Sequence, residues 1–422
     1  MLKEITIKNF KSYKKEVTFS MEADLDKVSE YEDHIVEIND NKLLKIASFY
    51  GPNGGGKSNL LDALLFIKAV ITNDVDALAP REVVNVFSND DTIEFTVFFV
   101  DEIYEYGINI EVITQMVEEY SDNMFRQRYK LKPEIINETM VYRKRGKKDF
   151  ITCYERNETG KVVGKIFEFV NFSMPNLSKS RTVLGKLFSD YADNDNNIES
   201  FEVIKKLYSE FESIVRFDSI DRSFINQYFN LSKLKFIEKE KEKIIEYLNS
   251  VDIKISDIKV YRSGRPELIY FERTIEVDGV KMKRNVPLSE ESKGTIKIFN
   301  TILKLMYGIK SNKIFLFDDM NAYLHPKLCA SIIQQFTSQQ GTHSQLIFNS
   351  HDLINMNNSL FRRDEIWFAY RDEEYSSKIV PLSNIVNYKG EAVRKDAKYS
   401  KQYLEGKYGS DPFVMKGICW YE

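Results

Sequence analysis

A chain of 422 residues, 43% of them hydrophobic, can bury one large core or two linked ones and is too apolar for a disordered polymer. A formal net charge of −4 argues against a protein that coats nucleic acid, although a local basic patch would not show in the sum. The cysteines Cys153, Cys329 and Cys419 lie far apart without a C-x-x-C pair, no apolar run is long enough to span a membrane, and the first residues alternate like a strand rather than a secretion signal, so the expected compartment is the cytoplasm.

In chain order, Leu2 to Ile7 and Glu16 to Ser20 read as strands, joined through Lys8-Asn-Phe-Lys-Ser-Tyr13. Residues 21–41 are acidic, polar and loop-like. Leu43 to Tyr50 is a mostly apolar strand, and Asn59 to Ile71 has apolar residues at helical spacing. Between them stands Gly51-Pro-Asn-Gly-Gly-Gly-Lys57-Ser58, which fits G-x-x-x-x-G-K-[ST]. A glycine-rich turn from strand to helix wraps backbone N–H groups around a phosphate, where the helix dipole also favours negative charge. The expected nucleoside triphosphate contacts are Asn53, Gly54, Gly55, Gly56, Lys57, Ser58 and Asn59. Lys57 is expected at the β- and γ-phosphates and the Ser58 hydroxyl on Mg²⁺.

The words I-x-N-F-K-S-Y and G-P-N-G-G-G-K-S-N-L-L-D-A-L together resemble the opening of the RecF/SMC-like branch of ABC-type ATPases. The resemblance implies an ABC-type P-loop head of α/β class, with a mixed sheet and an antiparallel sheet. It also sets Lys11 near the nucleotide, against the plainer reading of a solvated lysine beside a strand.

From Asp91 to Glu168 the pattern is strand-rich, with alternation over Thr92–Val100, Tyr106–Val112, Phe125–Leu131 and Glu138–Arg143. The resemblance implies that this antiparallel sheet lies against the nucleotide and carries a Mg²⁺-sensing glutamine, for which Gln127 is the nearest candidate. From Val170 to Ser250 the chain turns helical and charged. Leu234, Ile237, Ile244, Ile245 and Leu248 share one helix face and a Glu/Lys series covers the other. This is either a lid or partner-docking arm or an ordinary helical subdomain, and it is too short for the coiled-coil arms of SMC proteins.

The second half carries the remaining motifs. Leu288-Ser-Glu-Glu-Ser292-Lys-Gly294-Thr295 precedes an apolar helix, Ile296 to Met306. It departs from L-S-G-G-Q and would also serve as a plain helix cap. As an ABC-type signature, Ser292, Gly294 and Thr295 would contact nucleotide held by another subunit. Lys313 to Phe317 is a buried strand ending in Asp318 and Asp319; Asp318 is expected in the Mg²⁺ shell. ABC-type heads usually follow that acid with a glutamate that polarises water, so Asp319 implies slow hydrolysis or an ATP-sensing role. In Leu324-His325-Pro326, His325 reads as structural. Ser344 to Phe348 is another buried strand, leading to His351, the expected switch histidine that reports the γ-phosphate.

In the tail, R-R-D-x-I-W-F at Arg362 to Phe368 and Y-L-x-G-x-Y-G at Tyr403 to Gly409 resemble the stand-alone AAA-family, ABC-like ATPases related to AbiL and RloA. That resemblance implies an ATPase of bacterial antiviral defence acting with a separately encoded effector. The motif order divides the chain into a head built from residues 1–170 and 251–422 with a helical subdomain inserted at 171–250. A signature motif cannot reach its own phosphate loop in such a head, so a homodimer closing head to tail on two ATP molecules is expected, with higher oligomers left open. The alternative is a RecF-like DNA-binding repair ATPase; the Lys-rich helix at 233–243 is interleaved with glutamates and gives it little support. A fused nuclease is not expected in the 71 residues after His351, which hold no D-x-D carboxylate pair.

Overall fold

The computed structural model describes residues 1–74, 82–119, 128–165, 177–191, 199–217, 231–261, 268–277, 279–322, 324–386 and 390–409. Two large sheets organise them. The first is antiparallel throughout: β1 (Leu2–Lys8), β2 (Val17–Ser20), β6 (Thr92–Val100), β7 (Tyr104–Glu119), β8 (Arg128–Lys144), β9 (Ile151–Arg156) and β10 (Val162–Val163), in the order β10-β9-β8-β7-β6-β1-β2. The second contains β5 (Ile46–Tyr50), β11 (Ile214–Phe217), β15 (Ile314–Phe317), β16 (Gln345–Asn349), β17 (Ile366–Arg371) and β18 (Ser377–Pro381), in the order β11-β15-β16-β5-β17-β18. Its first five strands run parallel, and β18 closes one edge antiparallel. Smaller sheets are the hairpin β3 (Ile35–Ile38) with β4 (Asn41–Leu44), and β12 (Asp257–Tyr261), β13 (Leu268–Val277) and β14 (Val280–Pro287). The fold is the expected α/β class with one mixed and one antiparallel sheet.

The parallel strands are near-continuous apolar runs because both of their faces are covered. Ala47, Phe49, Ile314, Leu316, Ile347 and Trp367 point into one core, shared with the antiparallel sheet and helix α1 (Lys57–Thr72). Ile46, Tyr50, Phe315, Phe317, Leu346, Phe348, Ile366 and Phe368 point into the other. There they meet the helices Leu231–Ser250, Lys293–Ile309 and Pro326–Thr337. Leu60, Leu64 and Ile67 anchor α1, each fully buried and each contributing about 1.5–3 kcal/mol by transfer from water.

Several expectations are refined. The loop-like stretch 21–41 holds β3 and a short 3₁₀ turn at Glu32–His34. The strand expected at Glu138–Arg143 is the end of a single long strand, β8. The segment 171–250 does supply helices, α2 (Val183–Tyr191), α3 (Glu199–Ser213) and Leu231–Ser250. It also supplies β11, the edge strand beside β15, and α3 shares its apolar cluster with α1. Gln127 and Cys419 lie outside the described residues.

Candidate functional site

β5, β15 and β16 are parallel neighbours, so the turns after them meet at one edge of the sheet, where open α/β sheets bind their ligands. The loop after β5 is held by close backbone packing. A Cβ on Gly51 would lie 2.0 Å from the carbonyl oxygen of Ala369 on β17, and one on Gly55 would lie 2.5 Å from the same atom. Gly51, Gly54 and Gly56 also have φ of 137°, 76° and 110°, a region that side chains disfavour. The loop therefore presses against β17 and β18 just where α1 begins, and a helix N-terminus favours an anion.

The N-terminal residues brace this loop from the side. The buried Tyr13 hydroxyl donates 3.0 Å to the Gly56 carbonyl, and Asn59 Nδ2 donates 2.7 Å to Ser12 Oγ. The Ser377 amide donates 2.7 Å to the Ser12 carbonyl. Lys11 points to α1, where its ammonium lies 2.5 Å from Asp62. Lys57 is buried, and its ammonium donates to the carbonyls of Gly51 (2.8 Å) and Pro52 (3.0 Å). Burial lowers the Lys57 pKa, opposed by the charges of Asp319 and Asp318.

Asp318 follows β15. Its Oδ1 accepts 2.9 Å from the Ser58 hydroxyl and 2.6 Å from Asn349 Nδ2, which also lies 3.2 Å from Ser58 Oγ. Asn349 Oδ1 accepts from the Asp319 amide. One carboxamide at the end of β16 thus fixes the hydroxyl, the carboxylate and the turn that follows. A hydroxyl and a carboxylate side by side are hard oxygen donors, the set that suits a magnesium ion taking its remaining ligands from water and phosphate. Asp319 adopts φ 57°, a strained left-handed bend for a non-glycine residue.

His351 is exposed and lines a 170 Å³ cleft with Gly51, Pro52 and Asn53 of the phosphate loop. Burial of part of the ring, and then the Lys57 charge, lower its pKa from 6.5, against the pull of Asp319 and Asp318. The imidazole is therefore neutral at neutral pH and can offer one N–H to an anion. His325 caps the helix Pro326–Thr337, its Nδ1 accepting 3.2 Å from the Lys327 amide.

Ser292, Gly294 and Thr295 stand apart. Ser292 is exposed at the N-terminus of the helix Lys293–Ile309, and its hydroxyl accepts 3.1 Å from the Thr295 amide. Neither of the two clefts bordering the phosphate loop is lined by any of the three. Sequence reasoning missed three residues at the site: Asn349, Arg216 on β11 and Lys297 on the helix that Ser292 caps. The polar residue closing the apolar run Leu346–Phe348 was a usable signal for Asn349, whereas the other two resemble ordinary surface cations.

The fold and the site define a P-loop nucleotide-binding head. Residues 46–356 match the family described as "AAA domain, putative AbiEii toxin, Type IV TA system", and the chain belongs to that family of AAA-type ATPases. Among solved structures, the chain is similar to the SMC head domain from Thermotoga maritima, with 16% identity, coverage of 90% of this chain and 98% of that one, and a TM-score of 0.40. It is also similar to an SMC head bound to the C-terminal winged-helix domain of ScpA, with 15% identity, 91% and 98% coverage and a TM-score of 0.44. No curated protein matches the sequence significantly. Among the described residues, no helix is long and apolar enough to cross a membrane.

Proposed function

We propose that the chain is an ATP-hydrolysing head that closes as a head-to-tail dimer. The observation that carries this reading is the convergence of Lys57, Ser58, Asp318, Asn349 and His351 on the phosphate loop, at the ends of three adjacent strands. Asn53, Gly54, Gly55 and Gly56, with the amides at the start of α1, wrap the phosphates, and Asn59 secures the loop to Ser12. Lys57 exchanges the Gly51 and Pro52 carbonyls for phosphate oxygens. Ser58 and Asp318 hold a magnesium ion, which when bound neutralises charge on the β- and γ-phosphates. Asp319 accepts a hydrogen bond from the attacking water, and His351 donates to the γ-phosphate. An aspartate reaches about one methylene less far than a glutamate, so hydrolysis is slow unless the water sits closer.

Ser292, Gly294 and Thr295 sit on an exposed helix N-terminus, suited to meeting the triphosphate of a second copy. Bound ATP then holds the dimer closed and its loss reopens it. In cellular terms we read the chain as the regulatory ATPase of an antiviral, abortive-infection system of the AbiL/RloA-like kind, acting in the cytoplasm on a separately encoded effector.

The test is the solution mass of wild type with and without Mg-ATP, measured beside phosphate release. Dimers that appear with Mg-ATP and vanish in Lys57→Ala and Ser292→Arg support the closing head. Phosphate release in wild type but not in Asp319→Asn assigns the water to Asp319. A mass indifferent to nucleotide in every variant would overturn the dimer.

A further inference from the structure

Arg216 comes from β11, in the segment that sequence patterning assigned to an insertion, yet it reaches the metal side of the site. Its Nη1 lies 3.0 Å from Asp62 Oδ1, and its Nη2 lies 3.7 Å from Asp318 Oδ2. The other Asp62 oxygen faces Lys11, and Asp318 Oδ1 is taken by Ser58 and Asn349. Asp62 sits four residues beyond Ser58 on α1, so both are on one face of the helix. Arg216 lines, with Ser58, Asn59, Asp62 and Asp318, a cleft of about 920 Å³ that opens beside the phosphate loop.

Main-chain pairing fixes this position. β11 pairs with β15 from Ile214 opposite Ile314 to Phe217 opposite Phe317, and the Asp318 amide lies 3.4 Å from the Phe217 carbonyl. Arg216 therefore stands opposite Leu316, two residues before Asp318, on the strand beside it. A guanidinium keeps its charge at any working pH and can serve two carboxylates through separate N–H groups. That charge lies on the oxygen of Asp318 that Ser58 and Asn349 leave free, where a divalent ion would otherwise supply the balancing charge.

We propose that Arg216 is a built-in surrogate for the divalent cation. It balances Asp318 when metal is absent and remains beside the cleft as a counter-cation for a nucleoside triphosphate. Metal and guanidinium then compete for one side of Asp318. The consequence is a head that captures ATP before, and without, its metal, and whose metal-bound state is reached by displacing an arginine. This rests on reading the phosphate loop as a triphosphate site.

The experiment compares ATP dissociation constants in Mg²⁺ and in EDTA, by calorimetry, for wild type and Arg216→Gln, with melting temperatures recorded. Wild type is expected to lose no more than about fivefold in EDTA, and Arg216→Gln to enlarge that EDTA-to-Mg²⁺ ratio about tenfold. An unchanged ratio in Arg216→Gln overturns the proposal, whether the variant weakens both conditions equally or neither. Should the variant fail to fold, the wild-type ratio decides alone: a loss above about fivefold in EDTA shows that nothing stands in for the metal. If wild type binds ATP in neither condition, the triphosphate reading itself fails, which is a separate result.

Discussion

The ammonium group of Lys297 lies 3.4 Å from the main-chain carbonyl of Asp319. It lies equally far from that of Met320 and donates to that of Ala322. Lys297 is buried on the helix that Ser292 caps, so one side chain joins the proposed trans contact to the turn bearing the proposed water-positioning acid. Because Asp319 is held at φ 57°, loss of this clamp lets the bend relax. Lys297→Met is expected to lower kcat by about 10²-fold, the scale of a 1 Å misplacement, while the ATP dissociation constant moves little. Steady-state kinetics beside calorimetry separates the two.

The same lysine gives a pH signature. Burial pushes its pKa down to about 8 from 10.5, with the Asp319 charge opposing. Hydrolysis is expected to fall as pH rises through about 8, when the ammonium loses a donor. Stability runs the other way. Between about 8 and 10.5 the unfolded chain binds the proton that the folded chain has released, so this group's contribution to stability rises with pH. A rate that falls while the melting temperature holds separates the clamp from general alkaline unfolding.

Asn349 predicts a metal-dependent defect. Its carboxamide donates to Asp318 and Ser58 and accepts from the Asp319 amide. Asn349→Leu leaves those groups without their partner at a cost of about 1–3 kcal/mol. The expected readout is Mg-ATP affinity weakened by about tenfold or more. Asn349→Asp places a carboxylate against Asp318 and is expected to weaken the binding of metal-free ATP as well.

These residues also mark where the sequence stops being legible. The phosphate loop was readable because strand, glycines, Lys57-Ser58 and helix each obey a local rule, and Asp318 and His351 because each follows closely on a buried strand. Arg216 was not, because Ile214–Phe217 follows α3 without turn residues and only four residues show no period. Its place beside Asp318 is set by pairing across about a hundred residues of chain, which local patterns do not encode. Lys297 reads as a solvated helix lysine until the turn after β15 is packed against it. The exposed Ser292 follows its local rule, a serine cap, and nothing among the described residues brings it to the phosphate loop.

His351 should report the γ-phosphate through its own titration. With its pKa held below 6.5 by burial and by Lys57, the ring contributes stability that is present above 6.5 and lost as pH falls through its folded value. A triphosphate in contact with the ring adds negative charge and favours the protonated form. Histidine NMR is expected to show the His351 resonance titrating below 6.5 in the free protein and moving upward with a non-hydrolysable ATP analogue. A resonance that does not respond would remove His351 from the phosphate contact.

The glycines of the loop are not equivalent, and substitution should rank them. At Gly51 a methyl group would lie 2.0 Å from the Ala369 carbonyl, and the backbone on both sides cannot retreat without parting β5 from β17. At Gly54, also at positive φ, nothing lies within 4 Å of the added carbon. Gly54→Ala is therefore expected to cost only the left-handed conformation, about 1–2 kcal/mol. Gly51→Ala adds a backbone clash to a similar conformational cost and is expected to exceed about 4 kcal/mol or to prevent folding. Urea unfolding of the two variants measures the difference directly. Equal destabilisation would mean that the loop does not rest against β17 as Ala369 places it.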